Sequence, residues 1–215
     1  MEPRTGPLSG RRAQAARNDH TILDAARQVF LTDPAAPIAA VAQRAGVGMS
    51  ALYRRYPSKH ALLAHLAGDG LRRYRTEAEA ALADTGDPWA AFTGFMAHIV
   101  DADTHSLTLR LAGTFTPTND LYHDAERAHQ LTQRLLERTQ AAGAVRADLD
   151  VNDLTFVFEQ LASVRLGDPD RTPQLRQRYL TLLLDGLHTP TPQPLPGPPP
   201  TWTEVSGRWD HPVNR

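Results

Sequence analysis

Histidine and carboxylate side chains recur in this sequence at spacings that would suit a metal site. Two groups have the spacing of one helical face, namely His98, Asp101 and His105, and then His123, Glu126 and His129. Imidazole and carboxylate groups are ligands for divalent transition metals, and such a site would suit a hydrolase. Exposed histidines on mixed helices are the simpler interpretation. We therefore expect no metal, no cofactor and no enzymatic activity.

Residues 48–56 carry side chains that suit contact with a nucleic acid. If this stretch is helical, its exposed face presents Met49, Ser50, Tyr53, Arg54 and Arg55. Arginine binds phosphate or reads guanine through two hydrogen bonds, and serine and tyrosine hydroxyls suit phosphate oxygens. Because half or more of protein–DNA hydrogen bonds go to the backbone, phosphate contact is the expected role of both arginines.

A helix-turn-helix is the element that would position these residues. That motif joins two short helices by a tight turn containing glycine, and the sequence from Pro37 to Lys59 follows this pattern. Gly46 is predicted to end the first helix, Val47 to fill the turn and Gly48 to cap the second helix. The inner faces are apolar, with Ile38, Val41, Ala42, Ala45 and Leu52.

Helical periodicity dominates the rest of the chain, so the predicted fold class is all-α. A first helix over about 19–31 carries one apolar stripe of Ile22, Ala25, Ala26, Val29 and Phe30. Ser58 is the predicted N-cap of a long fourth helix. Later helices are predicted to start at Pro88 behind the N-cap Asp87 and over about 105–114, 119–142, 151–166 and 173–187, with Asp150 and Thr172 as further N-caps. From Thr189 the run TPTPQPLPGPPP excludes a helix, which predicts a flexible, disordered Pro-rich tail at 189–215.

Composition and charge limit the classes of protein this chain can be. Its 215 residues suit one or two small domains, and the absence of cysteine excludes disulfides and thiolate chemistry. Residues 1–75 hold 12 Lys and Arg against 5 Asp and Glu, whereas residues 76–215 hold 11 against 19. A basic first third indicates an anionic partner at that end. Without a long apolar run or an apolar signal segment, we expect a soluble, cytoplasmic protein with no membrane partner.

Two segments, ILDAARQVF and IAAVAQRAGVGMSALYRRYPSKHALL, resemble the N-terminal DNA-binding domain of TetR/AcrR-family transcriptional regulators. The resemblance covers about residues 18–66 and is carried by Ala26, Phe30, Ile38, Ala42, Ala45, Gly46, Val47, Leu52, Tyr53, Tyr56 and Lys59. Gly48 and Ala51 depart from the residues frequent in the family. A glycine cap is weaker by about a few tenths of a kcal/mol. Ala51 offers a methyl group, which can contact thymine, in place of a hydroxyl.

The resemblance implies a DNA-binding domain at 18–75, preceded by a flexible basic arm at 1–17 that contains Arg11, Arg12 and Arg17. An arginine-bearing arm would follow the DNA backbone or the minor groove, and an unordered solvated arm is the alternative. The candidate DNA-contacting residues are Arg17, Pro37, Gly48, Met49, Ser50, Ala51, Tyr53, Arg54, Arg55, Tyr56 and Lys59. For Tyr56, packing in the core is the alternative role.

The resemblance also implies that residues 76–188 form a helical domain for ligand binding and dimerisation. Candidate lining residues of a largely apolar pocket are Phe92, Phe95, Met96, Ile99, Leu107, Leu111, Phe115, Phe156 and Phe158, with simple core packing as the alternative. The implied dimer face lies on the last two helices and includes Leu154, Phe158, Leu161, Tyr179, Leu182, Leu183 and Leu187.

These expectations together describe a homodimeric repressor of a pseudo-palindromic, double-stranded DNA operator that a small-molecule effector releases. A ligand-independent or activating regulator of the same family is one alternative. From other classes, a metal-dependent helical hydrolase and a scaffold that binds proteins through its Pro-rich tail remain open at this point.

Overall fold

A computed structural model describes residues 8–111, 113–166, 170–188 and 193–208, and for residues 8–18 and 108–110 it describes the backbone. Every regular element in these ranges is a helix, which confirms the all-α prediction. The helices are α1 (Leu8–Thr32), α2 (Ile38–Ala45), α3 (Met49–Arg55), α4 (Lys59–Ala83), α5 (Pro88–Asp101), α6 (Thr104–Leu111), α7 (Asn119–Ala141), α8 (Val151–Ser163), α9 (Arg171–Leu187) and α10 (Trp202–Gly207).

The chain divides into two compact units, residues 1–66 and 67–215, and α4 supplies residues to both. In the first unit α1 packs on α2 and α2 packs on α3. The predicted apolar stripe of α1 faces this core, because Ala26 and Phe30 are fully buried. From α2 and α3 the core receives Ile38, Val41, Ala42 and Leu52.

Helix α1 begins at Leu8, eleven residues before the predicted start. Residues 8–17, which the sequence predicted as part of a flexible arm, are therefore helical. Residues 1–7 and the side chains of Arg11, Arg12 and Arg17 lie outside the described part of the chain. The sequence of α1 before Asp19 lacks the apolar stripe, so periodicity alone placed the start too late.

The second unit is a helical bundle in which α5 contacts α7, α8 and α9, and α8 contacts α6, α7 and α9. Its core contains Phe92, Phe95, Met96, Ile99, Leu131, Leu135 and Phe158 among other buried side chains. Arg138 of α7 donates hydrogen bonds to the carbonyls of Ala81, Leu82 and Asp84. These carbonyls at the end of α4 have no partner within the helix, and the arginine supplies one.

Three of the predicted N-caps are confirmed. The carboxylate of Asp87 accepts from the backbone N–H groups of α5, and the hydroxyl of Ser58 accepts from the N–H of Ala61 in α4. Asp150 forms a reciprocal capping box with Asp153 at the start of α8. The prediction of Thr172 as an N-cap is wrong, because Thr172 lies inside α9 and its hydroxyl bonds the backbone of Leu166.

Residues 193–208, which were predicted to belong to a flexible tail, contact the second unit in the structure. The N–H of Leu195 donates to Asp148, Arg146 donates to the carbonyl of Gln193, and α10 packs on α8 with Val205 buried. Proline-rich sequence excluded a long helix here, but it did not exclude docking onto the second unit. Residues 189–192 and 209–215 lie outside the described ranges.

None of the described helices combines the length and the apolar character that a membrane span requires.

Candidate nucleic-acid interface

The turn between α2 and α3 has the geometry that its glycines predict. Gly46 adopts φ 65° and ψ 27°, the left-handed conformation that favours glycine, and its N–H donates to the carbonyls that end α2. The N–H of Val47 donates to the carbonyl of Ala42 at 3.0 Å, and Gly48 is the N-cap of α3. This tight turn fixes the direction of α3 against α2.

Helix α3 has one buried and one exposed face. Leu52 is fully buried and anchors the helix, whereas Met49 and Tyr53 are 38% and 46% exposed. Ser50 and Arg54 are also exposed, and Ala51 is half-buried. The predicted contact residues of α3 therefore share a surface, and one buried leucine holds that surface outward.

The two adjacent arginines of α3 differ in their surroundings. Arg55 donates to the carboxylate of Asp19 in α1, with Nη2 2.7 Å from Oδ2, and this hydrogen bond raises the pKa of Arg55. Arg54 makes no hydrogen bond or ion pair with the part of the chain that the structure describes. A ligand phosphate would meet no internal competitor at Arg54, whereas at Arg55 it would compete with Asp19.

Tyr56 and Lys59 do not lie on this surface as free contact groups. Tyr56 is 2% exposed, and its ring meets that of His65 edge-on at 5.4 Å. The ammonium of Lys59 donates to the carbonyls of Pro34 and Ala36 at 2.9 and 2.8 Å and lies 5.1 Å from the ring centre of Phe30. Both residues hold the helices of this unit together, which is the core role that we weighed for Tyr56 and did not expect for Lys59.

The remaining candidates lie at the ends of helices or outside the described side chains. Pro37 is exposed at the N-cap of α2 and Gly48 is exposed at the N-cap of α3. The side chain of Arg17 is outside the described part of the chain. Sequence reasoning missed Asp19, because its partner Arg55 is 36 residues away and no local pattern signals that pairing.

Comparison with known proteins identifies this arrangement of helices. Residues 22–66 match the family model of bacterial regulatory proteins of the tetR family. Residues 87–189 match the C-terminal domain of SbtR-like transcriptional regulators. A TetR transcription regulatory protein from Mycobacterium vanbaalenii is 31% identical, covers 83% of this chain and 99% of its own, and superposes with a TM-score of 0.57. The chain belongs to the TetR family.

Two further solved structures are similar to this TetR-family chain. A TetR transcriptional regulator from Streptomyces coelicolor is 26% identical, with a TM-score of 0.58 over 80% of this chain and 99% of that one. The TetR-like regulator LfrR from Mycobacterium smegmatis, solved in complex with proflavine, is 22% identical, with a TM-score of 0.55 over 77% and 95%. No curated protein sequence matches significantly. Because its two matched domains and its similar structures are those of TetR-family regulators, this chain is a DNA-binding transcriptional regulator.

The histidine groups of the TetR-family chain do not converge on a metal site. His98 is exposed and pairs with Glu77 at 2.9 Å, and Asp101 accepts a hydrogen bond from Gln177. In the second group, His129 bonds the side-chain oxygen of Asn152 at 3.0 Å. Among the described residues no group of three His, Cys, Asp or Glu side chains could hold a metal ion. The hydrolase alternative therefore has no structural support.

His105 lies instead in an aromatic cluster of the second unit. Its ring stacks on Phe158 with centroids 4.6 Å apart, and Tyr74 lies 5.8 Å away. Burial, followed by the positive charge of Arg208, lowers the pKa of His105 to about 4. Burial also raises the pKa of Tyr74 to about 12, against the opposing effect of its hydrogen bond with Thr132. Both side chains are neutral at physiological pH.

A small cavity adjoins this cluster. Its volume of about 10 Å³ is at the lower limit for holding one water molecule, and its lining includes Ile99, Phe158, His105 and Arg176. Arg176 donates to Asp103, Ser106, Val164 and Ala162 and so joins α9 to the α5–α6 turn and to the end of α8. Of the predicted pocket residues, Ile99 and Phe158 line this cavity. Six other predicted pocket residues do not line this cavity and are buried in the core, namely Phe92, Phe95, Met96, Leu107, Leu111 and Phe115.

The side chains predicted for a dimer face separate into two groups. Leu154, Phe158 and Leu161 are at most 2% exposed, because they face the core of their own unit, and the prediction is wrong for them. Tyr179 and Leu182 of α9 are 44% and 59% exposed. Leu183 and Leu187 are partly buried against the core. One apolar side of α9 therefore faces outward.

Proposed function

We propose that this TetR-family chain is a homodimeric repressor that binds a pseudo-palindromic operator and is released from it by a small molecule. The observation that carries the proposal is the outward face of α3, where Ser50, Tyr53 and Arg54 are exposed around the buried anchor Leu52. A helix held by one face and open on the other is the form in which a recognition helix enters the major groove.

The chemistry of the α3 surface suits both phosphate and base contacts. Arg54 is available for a phosphate or for guanine, and the hydroxyls of Ser50 and Tyr53 suit phosphate oxygens. Arg55 can reach DNA only in competition with Asp19. The charge distribution also favours DNA binding by the unit that contains α3, since residues 1–75 hold 12 basic side chains against 5 acidic ones.

The proposal of a homodimer rests on the outer side of α9. Tyr179 and Leu182 leave apolar area in water that a second copy of α9 would cover. A two-fold interface of this kind uses the same patch on both protomers. Two recognition helices would then meet successive major grooves about 34–36 Å apart and would read a palindrome.

The proposal of an effector rests on the second unit and on the fold it shares with other regulators. LfrR, which has this fold, was solved with proflavine bound. The cavity beside His105 and Phe158, at about 10 Å³, is too small for such a ligand, so an effector would have to bind elsewhere on the second unit or widen this cavity. An effector would shift the dimer toward a form in which the distance between the two α3 helices does not match the operator half-sites. It can do so only by binding that form more tightly.

Selection of bound duplexes from a random DNA library tests the proposal. The selected duplex is then titrated at several salt concentrations with the parent chain, Tyr53→Ala and Arg54→Ala. We expect a pseudo-palindromic sequence, a steep fall of affinity with salt, and weaker binding by both variants. Arg134→Ala, which removes an exposed arginine of α7 in the second unit, is the matched control and should bind like the parent.

Uniform weak binding to all sequences, or a selected site without two-fold symmetry, would contradict the proposal. A reporter placed behind the selected operator distinguishes repression from activation. Expression that rises on deletion of the regulator supports a repressor, and expression that falls supports the activating alternative.

A further inference from the structure

The C-terminal segment of the second unit docks through one side of α10. Trp202, Val205 and Arg208 are spaced three residues apart and lie on one helical face. The ring of Trp202 lies 4.4 Å from that of His129 on α7, and Val205 is 6% exposed. A reciprocal capping box between Thr201 and Glu204 starts the helix. The result is that Arg208 is presented to α8.

Arg208 occupies a site that two side chains of α8 form. Its two terminal nitrogens donate to the two carboxylate oxygens of Glu159, one of them at 2.9 Å, so the contact is bidentate. Its guanidinium carbon lies 5.0 Å from the ring centre of Phe156. Phe156 and Glu159 are three residues apart and therefore adjacent on the helix surface. A carboxylate beside an aromatic face is the arrangement that recognises a planar organic cation.

With Arg208 in place the Glu159 side chain is only 11% exposed, so an occupant that covers the carboxylate as Arg208 does must carry a positive charge. A carboxylate that is this enclosed is costly to leave without a partner. An anionic or neutral occupant would not replace what Arg208 provides. The chemistry of the site therefore selects a guanidinium, an amidinium or a related planar cation.

Arg208 is an incomplete occupant of this site. Its Nε is buried and has no hydrogen-bond acceptor among the described residues. The helix that presents it has six residues, too few for a helix to be stable without tertiary contacts. Docking therefore depends on the contacts of Trp202, Val205 and Arg208 themselves, and loss of the arginine contact would weaken it.

We propose that Glu159 and Phe156 form a binding site for a planar organic cation, and that Arg208 is its internal occupant. An external ligand with an amidinium or guanidinium group and an aromatic body displaces Arg208 and loosens residues 193–208 from α8. The binding site stands independently of DNA binding. Its role as the effector site rests on the proposed function above.

Calorimetric titration of the full chain with benzamidinium, in the absence of DNA, tests the site. Arg208→Gln removes the internal competitor and should bind about tenfold more tightly than the parent, since occupancy by Arg208 lowers the apparent affinity. Glu159→Gln should lose binding, whereas Glu79→Gln, an exposed glutamate of α4, should bind like the parent. Neutral benzamide should bind none of these proteins measurably.

Equal affinity of the parent and Glu159→Gln for benzamidinium, or no gain in Arg208→Gln, would overturn the proposal. A second measurement covers the case in which Arg208→Gln is unstable. Benzamidinium at millimolar concentration should raise the Tm of Arg208→Gln, and it should not do so in the double variant with Glu159→Gln. Equal Tm shifts in the two variants would also overturn the proposal.

A final titration on the selected operator separates this proposal from the proposed function. Weaker operator binding in benzamidinium by the parent, but not by Glu159→Gln, supports the cation as effector. Cation binding without any operator selection overturns the proposed repressor function and supports the cation site. Operator selection without cation binding supports the repressor function and overturns the cation site.

Discussion

The guanidinium of Arg55 on α3 is hydrogen-bonded to the carboxylate of Asp19 on α1, with Nη2 2.7 Å from Oδ2. Arg54, the next residue back along the chain, makes no such contact within the described residues. A pair of neighbouring arginines therefore divides into one that is held by the protein and one that is open to a ligand. The negative charge of Asp19 also lies beside the surface that we assign to DNA.

Asp19→Asn should strengthen DNA binding and make it less selective. The substitution frees Arg55 for a phosphate and removes a charge that repels the backbone, so the slope of log K against log salt should steepen by about 0.9. Stability should fall by no more than about 1 kcal/mol, because the pair is partly exposed. Fluorescence anisotropy with operator and random duplexes measures both effects. Asp24→Asn removes the same charge from α1 without touching Arg55 and should leave the slope unchanged.

Lys59→Ala should destabilise the first unit rather than act only on DNA. The ammonium is part-buried and donates to the carbonyls of Pro34 and Ala36, which ties the start of α4 to the loop between α1 and α2. Loss of these bonds leaves two carbonyls unsatisfied, and we expect a cost of about 1–3 kcal/mol in the free energy of unfolding. Urea unfolding measures it. Arg54→Ala should change stability by less than about 0.5 kcal/mol, and an equally small effect of Lys59→Ala would show that these bonds are not important.

The helix-turn-helix was predictable because its signals are local. Gly46 must adopt a positive φ where α2 ends, and the apolar positions that cross between α2 and α3 are close in sequence. The roles of Lys59 and Arg55 were not predictable, because their partners lie 23–36 residues away. A side chain that looks like a phosphate ligand in sequence can equally bind a carbonyl or a carboxylate of its own fold.

The second unit shows the same limit for helix faces and for the tail. Periodicity identified α8 and α9, but it could not decide that Leu154 faces the core while Leu182 faces water, since that depends on which helices cover each side. The sequence after 189 has no periodic pattern, and α10 is held by Trp202, Val205 and Arg208 against α7 and α8. Such tertiary docking leaves no signal in local composition.

His105 should make the stability of the second unit depend on pH. Burial and the charge of Arg208 lower its pKa to about 4 in the folded chain, compared with its ordinary value of 6.5. Between these values the unfolded chain binds a proton that the folded chain does not, so stability decreases as the pH falls from 6.5 to 4. The full effect is at most about 3 kcal/mol.

His105→Phe should remove this contribution, because phenylalanine can still stack on Phe158 and does not titrate. Urea unfolding of the parent and the variant at pH 7.5, 6, 5 and 4.5 measures the difference. Plotted against pH, the free energies of unfolding of the two proteins should have the same slope near pH 7.5. Below pH 6 that of the parent should fall more steeply. Parallel curves across the whole range would contradict the neutral, enclosed state of His105.

Leu182→Glu should convert the proposed dimer into monomers. Leu182 is 59% exposed on α9 beside Tyr179, so a charge there costs the folded monomer little. In a two-fold interface the same charge appears on both protomers, and each would be buried beside an apolar face without a partner. Sedimentation velocity at micromolar concentration measures the change. Leu195→Glu, at a 41% exposed leucine outside α9, is the matched control and should sediment like the parent.

Because two linked recognition helices bind far more tightly than one, the monomeric variant should also lose operator affinity by about 100-fold or more. A Leu182→Glu chain that remains dimeric would place the interface elsewhere than on this side of α9.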